Sequence, residues 1–304
     1  MAALTFNLDF DPLPGQPVEI APQLVRVTAS NRGPFTFTGT NSFLIGDEHV
    51  VVVDPGPDDD THLQALLGAI GGRRVEAIIL THTHRDHSAL APKLKAATGA
   101  PLWFGGKHHL SRPLRPGEVD PLASSGDWGL VPDRVLHDGE VITAGGRELE
   151  VMATPGHCAN HLAFGLMGTP DILSGDHVMG WNSTLIAVPD GSMADYFLSL
   201  DRIIASPYER YVPAHGGAIA DARHYARALK EHRELRNSQI VEAVEGGAHS
   251  VDAVVSAIYP GVTDAIRRAA TLTVTAHVEY LADRRWLRAE SGPAGWLLQA
   301  ARPQ

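Results

Sequence analysis

His82-Thr83-His84-Arg85-Asp86-His87 sets three imidazoles and a carboxylate within six positions, directly after the apolar stretch Val75, Ala77, Ile78, Ile79 and Leu80. Folding alone gives no reason for that density of imidazole, because ordering such side chains costs rotamer entropy and returns little buried apolar area. Metal chemistry does give one. Imidazole nitrogen is a common zinc ligand, and a bend at a strand end aims alternate residues at one point. The competing reading, a surface loop that is His-rich by chance, is weakened by the rest of the chain.

Four further segments place a ligand-type side chain where an apolar run ends. Thr154-Pro155-Gly156-His157 follows the run 148–152, and Ser174-Gly175-Asp176-His177 follows 171–173. Pro213-Ala214-His215-Gly216 follows Tyr211-Val212, and Asp54 closes 50–53. Any one of these alone is an ordinary turn. The ordered set supplies three histidines for one metal, a bridging carboxylate, and an Asp-His-His group for a second.

With 304 residues, 44% hydrophobic and 20% charged, the chain suits one large α/β domain plus a small second one. No apolar run approaches the roughly 18 residues that span a bilayer, so no membrane partner is expected. Residues 1–22 are acidic and Pro-rich, without the basic start and apolar core of a signal peptide. A single cysteine, Cys158, excludes an intramolecular disulfide and makes the cytoplasm the expected compartment. The net charge is −10, and from Asp221 onward 11 Lys and Arg stand against 10 Asp and Glu, so the acidic excess lies earlier. Proteins that live on phosphate backbones show a basic stripe, and neither part has one.

Strand-like runs at 24–28, 42–45 and 50–53 precede a helical stretch, 62–70, with Leu63, Leu66, Leu67 and Ile70 on one face. A second unit runs from 75–80 through the His cluster to a helix over 90–97, closed by Gly99. Residues 105–132, rich in Gly, Pro and Ser, read as a long functional loop. A meander follows, 138–142 and 148–152 around Gly145-Gly146, with further strands at 162–166 and 171–173. This alternation predicts a layered α/β core with its site at the strand termini. After Gly216-Gly217 the pattern turns helical: 223–246, then 250–259 capped by Ser250, then 263–285 capped by Thr263. A hairpin of 286–290 and 296–299 closes the chain across Ser291-Gly292-Pro293-Ala294-Gly295. Three helices and a hairpin predict a winged helix, hence a catalytic domain over 1–222 and a C-terminal domain over 223–304.

The ordered motifs HTHRDH, TPGH, SGDH and PAHG resemble the metallo-beta-lactamase superfamily over about the first 220 residues. The resemblance implies an α/β fold, a four-layer αβ/βα sandwich with a metal pair in the cleft between its two sheets. It implies His82, His84 and His157 on the first metal, Asp86, His87 and His215 on the second, Asp176 bridging both, and Asp54 supporting the ligands from behind. The implied cofactors are two divalent ions, zinc first and iron or manganese next. Gly39-Thr40-Asn41-Ser42-Phe43-Leu44-Ile45-Gly46 and His232-Arg233-Glu234-Leu235-Arg236 are similar to the beta-lactamase-like protein 2 group, which also carries a C-terminal winged helix, and extend the likeness over nearly the whole chain. Phe43 stands where Tyr is common, and Cys158-Ala159-Asn160-His161 replaces a more acidic stretch. One subclass of true β-lactamases has a Cys ligand where this chain has Asp176, which favours a hydrolase of another substrate.

A metal-bridged hydroxide is the implied nucleophile. Asp86 is expected to bind metal and orient that nucleophile, and His161 to reach the substrate or support the leaving group. The expected substrate is a small ester, thioester or lactone. A metal-dependent endoribonuclease acting on single-stranded RNA is the alternative, because the resembled group includes one. A nucleic-acid-binding regulator with a vestigial hydrolase domain is a third, disfavoured by the intact ligand set. The last predicted helix offers Arg267 and Arg268 before turning small and apolar, so this unit is expected to pack or to form a homodimer rather than read nucleic acid. Arg284, Arg285 and Arg288 near the wing leave a minor RNA contact open. His177, next to Asp176, is expected to point away from the site, and Cys158 to be buried and inert. His108 and His109 are expected to be solvated or part of a lid. Trp181, Tyr196 and Ser192 are candidates for the pocket wall, although an aromatic there is more often core.

Overall fold

Val51 and Val53 face one side of their strand and Val50 and Val52 the other, as period-two geometry requires, and all four are fully buried. That strand lies in the middle of a layered molecule, covered on both faces. The computed structural model describes residues 4–292 and 295–301; Pro293 and Ala294 of the expected hairpin turn, and residues 1–3 and 302–304, lie outside them.

The first sheet has seven strands in sequence order: β1 (Pro17–Ala21), β2 (Leu24–Thr28), β3 (Asn41–Ile45), β4 (His49–Val53), β5 (Arg74–Ile79), β6 (Leu102–Phe104) and β7 (Arg134–Val135). The second has five: β8 (Val141–Ala144), β9 (Arg147–Ala153), β10 (Leu162–Leu166), β11 (Asp171–Gly175) and β12 (Arg210–Pro213), lying side by side as 12-11-10-9-8. The inner faces meet in one core, where Phe43, Val51 and Ile79 oppose Val151, Phe164 and Leu173. Outside the first sheet lie α1 (Asp60–Ile70), one-turn α2 (Arg85–Ser88) and α3 (Ala91–Thr98), whose Leu66, Ile70 and Leu94 cover Val50 and Val52. Outside the second lies α4 (Met193–Ala205), which the sequence pattern did not reveal. It buries Met193, Tyr196, Phe197, Leu200 and Ile203, each contributing about 1.5–3 kcal/mol of apolar burial. The result is the expected αβ/βα order of four layers.

The chain then enters α5 (Ala222–Glu245), α6 (Val251–Ile258) and α7 (Asp264–Asp283), and ends in a hairpin of β13 (Leu287–Gly292) and β14 (Gly295–Ala300). Ser250 Oγ accepts from the amide of Ala253 and so caps α6, whereas Thr263 makes no side-chain cap. Ala222, Ala226 and Leu229 of α5 pack into the α4 layer, while Ile240 and Val244 pack with α6, α7 and the hairpin. The boundary drawn at residue 222 therefore falls at the start of a helix that two cores share. Among the described residues no helix is long and apolar enough to cross a membrane.

Pairing direction positions the site. β4 runs parallel to β5, and β11 parallel to β12, so each pair delivers its C-terminal ends to one edge of its sheet. Asp54, the His82 cluster, Asp176 and His215 follow those ends directly.

Candidate metal centre

Asp54 is the first brace. It leaves β4 in the left-handed region (φ 49°), which Asp tolerates better than most residues. Its Oδ1 accepts from the Thr81 amide at 2.7 Å, and its Oδ2 accepts from Thr81 Oγ1 at 2.6 Å and faces His87 Nδ1 at 3.0 Å. One buried carboxylate thus ties the ends of two strands to a histidine.

These contacts fix ring tautomers. Thr81 spends its one hydroxyl proton on Asp54, so its oxygen accepts from His82 Nδ1 at 3.0 Å and leaves His82 Nε2 bare. His84 Nε2 donates to Asp190 Oδ2 at 2.8 Å, which leaves Nδ1 bare. His157 Nδ1 donates to the Leu185 carbonyl at 2.7 Å, which leaves Nε2 bare. The three bare nitrogens converge, with His84 Nδ1 3.1 Å from His82 Nε2 and 2.9 Å from His157 Nε2. Lone pairs facing one another this closely need a cation between them.

The second group is built the same way. His87 donates Nδ1–H to Asp54, and His215 donates Nδ1–H to the Gly39 carbonyl at 3.1 Å. Both Nε2 atoms are buried without a hydrogen-bond partner, as is Asp176 Oδ1. Asp86 Oδ2 lies 3.4 Å from each of these Nε2 atoms. Asp176 spans the groups: Oδ1 is 3.4 Å from His215 Nε2, and Oδ2 is 3.6 Å from His87 Nε2 and 3.7 Å from His157 Nε2. Burial opposes a charge on His215, but the Asp176 and Asp86 carboxylates outweigh it and raise its pKa to about 9. Burial likewise pushes Asp86 and Asp176 up, and the neighbouring imidazoles His87 and His215 overcome it and hold both well below the usual range. Either protons or metal cations must balance this cluster. Three overlapping sets meet the geometry of a metal site: His82, His84 and His157; His82, His87 and Asp176; and Asp86, His87 and His215.

The family model for the metallo-beta-lactamase superfamily matches residues 35–215, the span that holds every one of these groups. The chain belongs to the metallo-beta-lactamase superfamily. Its likeness to "Lactamase-like protein aptB" of Emericella nidulans is 26% identity, covering 96% of this chain and 93% of that one. It is 27% identical to the "Beta-lactamase-like protein 2 homolog" of Caenorhabditis elegans, over 76% of this chain and 74% of that one. An "Atrochrysone carboxyl ACP thioesterase" of Claviceps purpurea is 26% identical, over 74% and 67%. The crystal structure of a Beta-lactamase domain protein from Burkholderia ambifaria superposes with a TM-score of 0.79 at 22% identity, covering 96% of both chains. This metallo-beta-lactamase chain is a metal-binding hydrolase.

Within the metallo-beta-lactamase frame the Gly39-Thr40-Asn41 motif acquires a physical role. Asn41 Nδ2 donates to the Pro213 and Gly216 carbonyls, at 3.1 and 2.9 Å, and its amide donates to the Ala214 carbonyl at 2.7 Å. The segment grips the loop that carries His215. A Cβ at Gly39 would lie 2.0 Å from the Ala29 carbonyl oxygen, so only glycine fits there.

Other expectations need correction. His161 does not line the cavity: Nε2 accepts from the Asp176 amide at 3.1 Å and Nδ1 donates to Thr154 Oγ1 at 2.8 Å. With both nitrogens engaged, His161 holds Asp176 and is not placed to reach a substrate. His108 is buried rather than solvated, 2.9 Å from Thr83 Oγ1 through Nδ1 and 3.4 Å from Asp190 Oδ1 through Nε2. His109 stays exposed, as expected of a loop residue. His177 is buried against Tyr196 with ring centroids 4.9 Å apart, away from the ligands, and burial lowers its pKa to about 3. Cys158 is fully buried, and burial pushes its thiol up. Trp181 lines the cavity and stacks on Phe37, whereas Tyr196 is core and Ser192 caps α4. The sequence reading missed Asp190, which orients His84 from a segment without motif or periodicity.

Proposed function

We propose that this protein is an acyl hydrolase that holds two divalent ions and cleaves a small ester or thioester. The observation that carries this is a cavity of about 650 Å³ over the ligand cluster, walled largely by apolar side chains. Phe35, Leu122, Trp181, Leu185, Ile266 and Ala269 offer an acyl group a dry surface, which a phosphodiester backbone does not need. The thioesterase name of one relative supports the same choice.

His82, His84 and His157 would hold one ion and Asp86, His87 and His215 the other, with Asp176 shared between them. A donor set of imidazole and carboxylate without thiolate suits zinc, iron or manganese, with zinc the first choice. Bound ions supply Lewis acidity toward the oxygen that gains charge and make hydroxide available at neutral pH. Asp86, half-exposed and on the cavity wall, accepts a hydrogen bond from the attacking water and aims it at the acyl carbon. His84, His157 and Asp176 also reach the cavity, so an ion they hold would offer its Lewis acidity to the acyl oxygen on the same wall. The new C–O bond forms as the C–S or C–O bond to the leaving group breaks, and the water's proton ends on that group. Asp54, Asp190 and His161 keep the ligands in register. Nucleic acid is not favoured, since Arg267 on α7 is engaged by Asp252 Oδ1 at 3.2 Å.

Metal analysis combined with a panel of thioesters, esters, lactones, phosphodiesters and single-stranded RNA tests this reading. Turnover of an acyl substrate that disappears with a chelator and returns with metal is the expected result. Full turnover by metal-free protein, or cleavage of RNA alone, would overturn it.

A further inference from the structure

The far wall of the cavity is made by α5 and α7, the unit expected only to pack or dimerise. His232, Arg233 and Arg236 share one face of α5, spaced for adjacent helical turns, and all three line the cavity. Ile266, Ala269, Ala270 and Thr273 of α7 line it beside them. The motif quoted from the sequence as a family likeness thus looks straight into the site.

The charge in this cavity is unusual for an acidic protein. Its two carboxylates, Asp86 and Asp176, belong to the metal cluster, and its arginines are Arg85, Arg233 and Arg236. Several arginines elsewhere sit on acids, Arg112 on Glu118 and Glu279, Arg202 on Asp138 and Arg210 on Asp171. Among the described residues none of the three cavity arginines has a carboxylate within ion-pair distance. Arg233 is buried, with Nη2 donating to the Thr184 carbonyl and Nε without an acceptor. Arg236 lies over the Tyr259 ring, its Cζ 4.4 Å from the centroid, and gives one hydrogen bond, from Nη1 to Gln239 Oε1 at 2.8 Å. The guanidinium is held in place with donors to spare. Burial lowers the pKa of both arginines, and His232, lowered by burial to about 4, is neutral and brings no competing charge. A desolvated cation without a counter-ion is costly, and a bound anion removes that cost.

We propose that Arg236, backed by Arg233, is an anion subsite opposite the metal centre, and that the substrate is an acyl ester or thioester bearing a carboxylate or phosphate away from the scissile bond. Its apolar body lies against Ile266, Ala269 and Ala270. The anion belongs either to the acyl chain or to the thiol carrier, and both chemistries suit a planar guanidinium. The proposal rests on the acyl-hydrolase reading for its substrate, but the anion subsite itself is testable without turnover.

The experiment uses the metal-loaded full chain and three thioesters: octanoyl-N-acetylcysteamine, its ω-carboxy counterpart, and octanoyl phosphopantetheine. The wild type is expected to prefer one charged substrate over the neutral one in kcat/KM by about 30-fold. Arg236→Gln should reduce that ratio at least about tenfold, and Arg236→Lys, which keeps the charge but loses the planar fork and the stacking, should reduce it by less than Arg236→Gln does. Whichever charged substrate loses its advantage identifies where the anion resides. Unchanged ratios in Arg236→Gln would overturn the proposal. If no thioester is hydrolysed, the acyl reading fails and calorimetry decides the subsite. Octanedioate or phosphopantetheine should then bind the wild type at least about tenfold more tightly than Arg236→Gln. Equal affinity, or binding of single-stranded RNA but of neither small anion, would overturn the subsite.

Discussion

Asp190 Oδ2 lies 2.8 Å from His84 Nε2, at the opposite end of the ring from the nitrogen that meets His82 and His157. The contact decides which nitrogen of His84 carries the proton. Burial works against a charged His84, and the hydrogen bond it donates to Asp190, together with the Asp190 and Asp86 charges, outweighs it and raises the pKa. Asp190→Asn keeps the shape but removes the charge that makes the bond strong. Metal affinity is expected to fall about 10–100-fold, measured by competition with a chromophoric chelator. Unchanged affinity would reduce Asp190 to a packing role.

Removal of metal should act on stability as well as turnover. Lone pairs that converge without a cation repel, so the loaded protein is expected to melt higher than the stripped one. At a free metal concentration of 100 times Kd the gain is about 2.7 kcal/mol. Asp86→Ala removes a ligand and the group that aims water, and should lower kcat by at least about 100-fold. Calorimetry of stripped and reloaded protein, with turnover before and after, checks both.

Gly175 has φ 52°, and a Cβ there would stand 2.6 Å from His161 Nε2 and 2.9 Å from Thr81 Cβ. His161 cannot retreat without releasing the Asp176 amide. Gly175→Ala is expected to destabilise the protein by about 2–4 kcal/mol and to weaken metal binding in step. Urea denaturation of stripped protein separates the two, since only the first effect survives there.

His62 gives a pH dependence outside the metal cluster. Burial, partly opposed by Asp59, lowers its pKa to about 4, and Ser42 Oγ sits 2.9 Å from its Nε2. The unfolded chain binds the proton near pH 6.5 and the folded chain does not, so stability is intact above that pH and declines as pH falls toward 4. Between pH 7 and 5 the loss from this one group is about 2 kcal/mol. In His62→Gln that share of the acid loss should vanish from urea titrations at the two pH values; an identical slope would refute the assignment.

Much of this architecture was legible because its signals are local. Period two marks Val50 to Val53, and each ligand motif follows an apolar run, so layers and ligands both follow from short stretches. What stayed hidden depends on distant partners. β6 and β7 are short strands at one end of their sheet, and their pairing, not composition, makes them strands. Asp190 and His108 look like loop residues until the fold sets them behind His84. His161 was misjudged for the same reason, since nearness to His157 in sequence did not say that both its nitrogens were engaged. The third helix read as small and apolar, which was correct; that this face closes the cavity needed the return path of α5.

Because α5 is one unbroken helix between two cores, it works as a phase-setting ruler. Each residue added to a helix turns everything beyond it by about 100° and advances it about 1.5 Å. A one-residue insertion after Leu229 would swing Arg233 and Arg236 off the cavity while Asp54, Asp86 and Asp176 stayed put. Reaction and recognition are thus written on separate lengths of chain, and a descendant could change what it accepts by re-phasing one helix without disturbing the ions.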